Sequence, residues 1–166
     1  MALAFTLPDT DGTPTPLHVD GAPAAVVVFT CNHSPYALAW HERIQDVARD
    51  YAARGVRVLQ INANDSARYP RDSLEAMKAR VDAGEFATPY LHDSSQEVAR
   101  AWDAKTTPDV FVTDGSGVVY RGAPDADHGD PSLNAQWLRA ALDDVLAGRP
   151  VANPETKPVG CSIKWK

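Results

Sequence analysis

The amino-acid sequence predicts a single α/β domain in which a mixed β-sheet carries helices on both faces. Two observations lead to this fold class. Residues 24–30 form an apolar run that is hydrophobic on both faces, as expected for a central strand covered by helices. Farther along the chain, Asp114–Gly117 separates two segments rich in β-branched residues, which is typical of an antiparallel hairpin. Together they predict a sheet with both parallel and antiparallel strands.

The first half of the chain predicts a hairpin and then a strand–helix–strand unit. Residues 1–20 are expected to form an irregular N-terminal β-hairpin with Asp11 and Gly12 in its turn. The helix after the buried strand is expected to begin at Pro35 and to end near Gly55. A second strand follows at residues 56–62, and the unit is predicted to be a right-handed crossover between parallel strands.

Three further helices and a tail complete the predicted domain of residues 1–166. Two short helices lie between the second strand and the hairpin, and the last helix follows the hairpin. Residues 149–166 form a proline-rich C-terminal tail that carries Cys161. The caps predicted for the three helices are Asp72 with Glu75, Ser94 with Glu97, and Asp130 before Pro131.

The composition excludes several classes of function. The net charge is −6 and the chain has no basic run, which argues against nucleic acid or an anionic membrane as a partner. The N-terminus has no basic segment followed by a long apolar stretch, so we expect no signal peptide. Two cysteines separated by most of the chain do not form a disulfide scaffold. We therefore expect a cytoplasmic protein with reduced thiols.

Cys31 is the residue most indicative of function, because it lies where the buried strand meets the helix. Reactive groups in open α/β sheets gather at that edge, and a helix N-terminus favours a thiolate there. We therefore expect the pKa of Cys31 to lie below about 8.5. Asn32, His33 and Ser34 can add hydrogen bonds or a positive charge. The alternative is that Cys31 is a small buried residue that closes the strand.

The other candidate residues allow more than one interpretation. Cys161 either resolves an intermediate formed on Cys31 or is a buried structural thiol. Asn62, Asn64 and Asp65 follow the second strand and either line the same edge or form its turn. The histidines show no metal-ligand spacing with the cysteines, so the sequence predicts neither a metal site nor a cofactor.

Several segments, in order, resemble a thioredoxin-like, peroxiredoxin-like bacterial family that is usually labelled alkyl hydroperoxide reductase/thiol-specific antioxidant. The resemblance extends over nearly the whole chain, and its segments carry most of the candidate residues. The segments are Thr30–Tyr36, Asn62–Asp65, Tyr69–Asp72, Thr88–Asp93, Thr107–Asp109 and Gly160–Trp165.

The resemblance implies a thioredoxin-like fold and a redox site around Cys31. It also implies a cis peptide bond before Pro108, with Thr107 and Pro108 offering backbone groups to a substrate. Asn32 and His33 are the remaining candidate substrate-binding residues. Relatives usually carry a second cysteine where this chain has Ser34, so a neighbouring thiol cannot release a mixed disulfide from Cys31. Ser34 is instead expected to hydrogen-bond the Cys31 thiolate.

The main hypothesis is a thiol–disulfide oxidoreductase with Cys31 as the nucleophile. Its expected partners are protein or small-molecule disulfides or peroxides, together with a thiol reductant. One alternative is a thiol peroxidase, although peroxiredoxins resemble this segment with their peroxidatic cysteine at the position of Ser34. The other alternative is a thioredoxin-fold binding module without turnover. The sequence does not predict an oligomeric state.

Overall fold

The N-terminal segment forms the predicted hairpin. In the computed structural model, which describes residues 3–18 and 21–166, strands β1 (Thr6–Pro8) and β2 (Pro14–Pro16) pair antiparallel. The Asp9 carboxylate stabilises the turn by accepting hydrogen bonds from the backbone N–H groups of Asp11 and Thr13. The parts of the predicted hairpin at positions 1–2 and 19–20 lie outside the described residues.

The strand–helix–strand unit has the predicted order and the predicted parallel pairing. Strand β3 (Ala25–Thr30) is buried along its whole length, helix α1 (Pro35–Ala52) follows it, and strand β4 (Arg57–Asn62) pairs parallel with β3. Ser34 is the N-cap of α1, and its hydroxyl accepts a hydrogen bond from the backbone N–H of Ala37. Pro35 occupies the first helical position, where its missing N–H costs no hydrogen bond.

The central sheet has five strands in the order β5 (Tyr90–His92), β4, β3, β7 (Asp109–Asp114) and β8 (Gly117–Gly122), with β7 antiparallel to both of its neighbours. The predicted mixed sheet is therefore confirmed. Strand β5 was not predicted, because three residues are too few to show a period. The elements after β4 are α2 (Leu74–Asp82), β5 (Tyr90–His92), α3 (Glu97–Ala101), β6 (Thr106–Thr107), β7 (Asp109–Asp114), β8 (Gly117–Gly122), α4 (Gln136–Leu146) and β9 (Cys161–Ser162).

The hydrophobic core lies on both faces of the sheet, because alternate residues of each central strand point in opposite directions. One face packs against α1 and α4, and the other packs against α3. The first cluster includes Val26, Val28, Trp40, Ile44 and Leu138, and the second includes Val27, Phe29, Leu59, Trp102 and Phe111.

The predicted helix caps are wrong in detail. Helix α2 is capped by Ser73, whose hydroxyl accepts from Ala76 N–H, while Asp72 ends a preceding 3-10 turn and is fully buried. The N-cap of α3 is Gln96 instead of Ser94. The last helix does not begin at Asp130. A 3-10 turn lies there, and the left-handed conformations of the two residues before α4, with φ of 55° and 52°, delay its start to Gln136.

The C-terminal tail packs against the rest of the domain in an extended conformation. Strand β9 pairs antiparallel with β6, so Cys161 lies opposite Thr107. Ile163 is buried, and its N–H donates to the carbonyl oxygen of Lys105. Gly160 passes so close that a Cβ at this position would lie 2.3 Å from the carbonyl oxygen of Thr107. Such a contact is too short for any other residue, so the tail requires glycine there.

The earlier part of the tail also packs closely against the domain, at Gly122. The φ of Gly122, at the end of β8, is +148°, and a Cβ there would lie 2.0 Å from the hydroxyl oxygen of Thr156. That hydroxyl accepts from the backbone N–H of Ala123 and hydrogen-bonds to the Tyr120 hydroxyl.

Among the described residues, no helix is both long enough and apolar enough to cross a membrane.

Candidate functional site

The Cys31 thiol is buried at the junction of β3 and α1, with only 1% of the residue exposed. Its Sγ donates a hydrogen bond to the Thr107 hydroxyl over 3.5 Å. That hydroxyl donates in turn to the carbonyl oxygen of Cys161 over 3.3 Å. A chain of two hydrogen bonds therefore connects the thiol to the backbone of the tail.

Ser34 does not have the predicted contact with Cys31. Its hydroxyl is fully buried, and it donates to the carbonyl oxygen of Thr107 over 3.1 Å while it accepts from Ala37 N–H. The hydroxyl hydrogen is donated to the Thr107 carbonyl oxygen, so it is not donated to the sulfur of Cys31. The backbone N–H of Ser34, together with that of His33, faces Cys31 instead.

The peptide bond between Thr107 and Pro108 is cis, as predicted. The backbone at Thr106 and Thr107 is extended beside Cys31, but β9 already pairs with this edge. A substrate that extends β6 would therefore compete with the tail. Substrate binding by Thr107 and Pro108 stays a prediction, and in this structure the tail is the segment that pairs with the edge.

Asp72 is the main polar residue of the site, and its side chain is fully buried. Its Oδ1 accepts from the backbone N–H of Asn32 over 2.7 Å, and its Oδ2 accepts from the Asn64 side-chain amide over 2.9 Å. His33 Nδ1 lies 2.6 Å from the same Oδ2, and the His33 ring stacks on Tyr69. Asp72 therefore fixes the loop between β3 and α1.

The side chain of Asn32 is held by hydrogen bonds to other residues of the protein. Its Oδ1 accepts from Arg80 and from the Tyr90 hydroxyl, each over 2.8 Å, and its Nδ2 donates to the carbonyl oxygen of Arg71. All its polar atoms are thus engaged within the protein. These contacts orient the loop that carries Cys31, and a substrate-binding role for Asn32 stays a prediction.

The electrostatic environment of Cys31 differs from the sequence-based expectation. Burial raises the pKa of the Cys31 thiol, and the negative charge of Asp72 raises it further. The Thr107 hydroxyl and the N–H groups of His33 and Ser34 lower it, but by less. The predicted decrease is therefore wrong, although the helix N-terminus acts in the expected direction. It is outweighed by the loss of solvent and by a carboxylate contributed from a distant segment.

Cys31, His33 and Asp72 form a cluster of potential metal ligands. One ligand atom from each residue lies within 4.8 Å of the other two. The sequence did not predict this cluster, because Asp72 is distant in the chain from the other two residues. The available signal was the segment Tyr69–Asp72, which belongs to the family resemblance, and the polar residues after β4. Asn64, one of these, does line the site through its bond to Asp72.

Cys161 is half-buried, and its thiol is free, as is that of Cys31. Directly opposed residues on antiparallel strands project their side chains to the same face. Cys161 is opposed to Thr107, whose hydroxyl contacts Cys31 Sγ. The register of β6 and β9 therefore directs the Cys161 side chain to the face on which Cys31 lies.

Two solved structures are similar to nearly the whole chain. An uncharacterized conserved protein from Geobacillus kaustophilus is 40% identical, with a TM-score of 0.92, over 98% of this chain and 89% of that one. A hypothetical protein from Sinorhizobium meliloti is 38% identical, also with a TM-score of 0.92, over 98% of this chain and 91% of that one. Both include the region of the tail. No curated protein sequence matches the chain.

A more distant structure is a thiol:disulfide interchange protein of the thioredoxin family from Chlorobium tepidum. It is 20% identical with a TM-score of 0.62, over 80% of this chain and 91% of that one, which shows a thioredoxin-like fold. The model of the AhpC/TSA family matches residues 1–121, which include Cys31, Asp72 and the cis proline. With this match over more than half of its length, the chain belongs to the AhpC/TSA family.

Proposed function

We propose that the protein is a thiol–disulfide oxidoreductase in which Cys31 is the nucleophile and Cys161 resolves the intermediate. The observation that carries this proposal is the register of β6 and β9. It directs Cys161 to the face where the Thr107 hydroxyl contacts Cys31 Sγ. The tail thus supplies the second thiol that position 34 lacks.

The reaction begins when the Cys31 thiolate attacks one sulfur of a substrate disulfide. The substrate S–S bond breaks, a mixed disulfide forms on Cys31, and the first substrate thiolate leaves and takes up a proton. The Cys161 thiolate then attacks Cys31 Sγ, releases the second substrate thiol and leaves a disulfide between Cys31 and Cys161. An external thiol reductant restores both cysteines.

Thr107 has a defined role in this sequence. In the reduced protein its hydroxyl accepts from the Cys31 thiol and donates to the carbonyl oxygen of Cys161. When Cys31 loses its proton, the same hydroxyl turns to donate to the thiolate. That movement also removes one of the hydrogen bonds that hold the tail, at the stage when Cys161 must approach Cys31.

Mass spectrometry of the protein after treatment with glutathione disulfide tests the proposal. The parent should lose two hydrogen atoms as its internal disulfide forms. Cys161→Ser should retain one glutathione on Cys31, and Cys31→Ser should retain none there. Turnover by Cys161→Ser at the rate of the parent would contradict the role of Cys161, whereas an unreactive Cys31 would contradict the whole proposal.

Ser34→Cys is the matched gain-of-function variant. Serine and cysteine are similar in size, and a thiol at position 34 is a near neighbour of Cys31 at the start of α1. In the Cys161→Ser background this substitution should release the trapped glutathione and restore turnover. If the new thiol forms a disulfide with Cys31 and turnover stays absent, disulfide exchange is not the reaction of this site.

A thiol peroxidase is the second candidate, and membership of the AhpC/TSA family favours it. In that case Cys31 attacks one oxygen of a peroxide, the O–O bond breaks, and Cys31 becomes a sulfenic acid while water or an alcohol leaves. Treatment of Cys161→Ser with peroxide distinguishes the two reactions. A sulfenic or sulfinic adduct on Cys31 that forms faster than the glutathione adduct indicates a peroxidase. No reaction with either reagent indicates a binding module.

A further inference from the structure

The cluster of Cys31, His33 and Asp72 combines one sulfur, one nitrogen and one oxygen donor. Their ligand atoms all lie within 4.8 Å of one another. Zinc binds sulfur at about 2.3 Å and nitrogen at about 2.0–2.1 Å, so the ligand atoms around one zinc ion lie roughly 3.3–3.7 Å apart. Side-chain rotation is needed to bring the three donors to that spacing, because His33 Nδ1 and Asp72 Oδ2 are 2.6 Å apart and the other separations extend up to 4.8 Å.

The charge of the cluster also fits a divalent cation. Asp72 is fully buried, and its one ion-pair partner among residues 3–18 and 21–166 is His33. No lysine or arginine of that part of the chain lies within ion-pairing distance of it. The Cys31 thiolate and the Asp72 carboxylate together carry two negative charges, which one divalent cation neutralises.

A second observation is the state of His33 Nδ1. This atom is shielded from solvent and lies 2.6 Å from Asp72 Oδ2, but it has no hydrogen bond of acceptable geometry in the described part of the chain. In this geometry no hydrogen-bond donor of the described residues engages the Nδ1 lone pair, which is therefore available to a cation.

The surroundings of Asp72 are those of an oriented ligand. The backbone N–H of Asn32 and the side-chain amide of Asn64 each donate to its carboxylate. Asn64 is held in turn by the backbone N–H of Lys164 in the tail. Such hydrogen bonds fix the direction of a ligating carboxylate and raise metal affinity.

We propose that Cys31, His33 and Asp72 bind zinc, or a divalent cation of the same preference for sulfur, as a three-ligand site. A sulfur and a nitrogen donor disfavour magnesium and calcium, which bind oxygen. Binding releases the proton of Cys31 to solvent and leaves the fourth position for water or an external thiol. While the cation is bound, Cys31 Sγ cannot attack a disulfide, so metal binding and thiol chemistry exclude each other at this site.

The test uses the full-length reduced protein, first stripped with a chelator and handled without oxygen. Zinc affinity is measured by competition with a chromophoric chelator, and cobalt(II) reports thiolate ligation through its charge-transfer absorption. The parent should bind one equivalent. Cys31→Ser, His33→Asn and Asp72→Asn should each weaken binding at least tenfold. His92→Asn replaces the same residue type as His33 outside the cluster and should bind as the parent does.

The inference is overturned if the parent binds no zinc, or if Cys161→Ser loses the cobalt absorption and Cys31→Ser keeps it. It is also overturned if His33→Asn and Asp72→Asn both bind like the parent, because Cys31 would then act alone. Circular dichroism checks that each variant is folded. Disulfide exchange in the metal-free protein is measured separately, so either proposal can fail without the other.

Discussion

Two fully buried carboxylates, Asp125 and Asp72, have opposite environments. The Arg43 guanidinium donates a hydrogen bond to each carboxylate oxygen of Asp125 over 3.0 Å. The Trp40 indole N–H donates to the same carboxylate over 2.9 Å. Backbone N–H groups of Asp127 and Ala135 complete its hydrogen bonds. Asp72 accepts bonds from neutral groups, and among the described residues its only ion-pair partner is a histidine.

This difference separates a carboxylate whose charge is neutralised inside the protein from one whose charge is not. Asp125 joins helix α1 to the segment before α4, and its charge is neutralised inside the protein. The charge of Asp72 is left to act on its neighbours, and one of them is the Cys31 thiol, whose pKa it raises. A buried acid without a permanent cation beside it is thus the better indicator of a chemical site.

The largest effect that this comparison predicts is that of Asp125→Asn. The substitution leaves the Arg43 guanidinium buried without a negative partner, and we expect a loss of about 3–5 kcal/mol in the free energy of unfolding. Urea denaturation measures it. The double variant Asp125→Asn with Arg43→Met is the control and should recover part of the loss. A loss under about 1 kcal/mol would show that Asp125 is not a structural anchor.

Asp109 is a third buried carboxylate, and its contribution to the free energy of unfolding depends on pH. Burial raises the pKa of Asp109 to about 6, and the negative charge of Asp103 also raises it. The backbone N–H of Lys105 and the positive charge of Arg121 lower this pKa, but by less than burial raises it. The folded state therefore retains a proton that the unfolded state has already lost at about pH 4. Stability should decrease as the pH rises from about 4 to 6, by up to about 3 kcal/mol.

The measurement for Asp109 is the free energy of unfolding of the parent and of Asp109→Asn across this pH range. The amide does not titrate, so the variant should gain stability relative to the parent as the pH rises and keep that gain above pH 6. Parallel curves for the two proteins would show that the pKa of Asp109 does not differ between the folded and unfolded states.

The smallest effect on stability is expected for Asp72→Asn in the metal-free protein. No lysine or arginine in the described part of the chain loses an ion pair, and the amide oxygen can still accept from Asn32 N–H, so the main loss is the hydrogen bond from the Asn64 amide. We expect a loss of about 1 kcal/mol by urea denaturation. A loss as large as that of Asp125→Asn would remove the distinction between the two carboxylates.

The sequence predicted the parts of the fold that local patterns specify. The apolar strand, the start of α1 at Pro35 and the hairpin around Gly115 each depend on a few adjacent residues. The position of Cys31 followed from the same patterns. Strands β6 and β9 have two residues each and show no period, so the docking of the tail was not predicted.

The environment of Cys31 was the least predictable feature. Its pKa depends on how Asp72 and the burial of β3 act together, and neither is visible in the residues next to the thiol. Asp72 resembled a helix cap because a polar residue preceded an apolar run. Ser73 has that function, since its hydroxyl is the one within reach of the first turn.

The two close approaches of the tail have a consequence for comparing sequences. The match to the family model ends at residue 121, so the match says nothing about the tail. A side chain at Gly122 or Gly160 would collide with Thr156 or with the backbone of Thr107. Related chains whose tails dock in this way should therefore have glycine at both positions. That pair of glycines is a simple marker with which to sort the family into members with and without a docked tail.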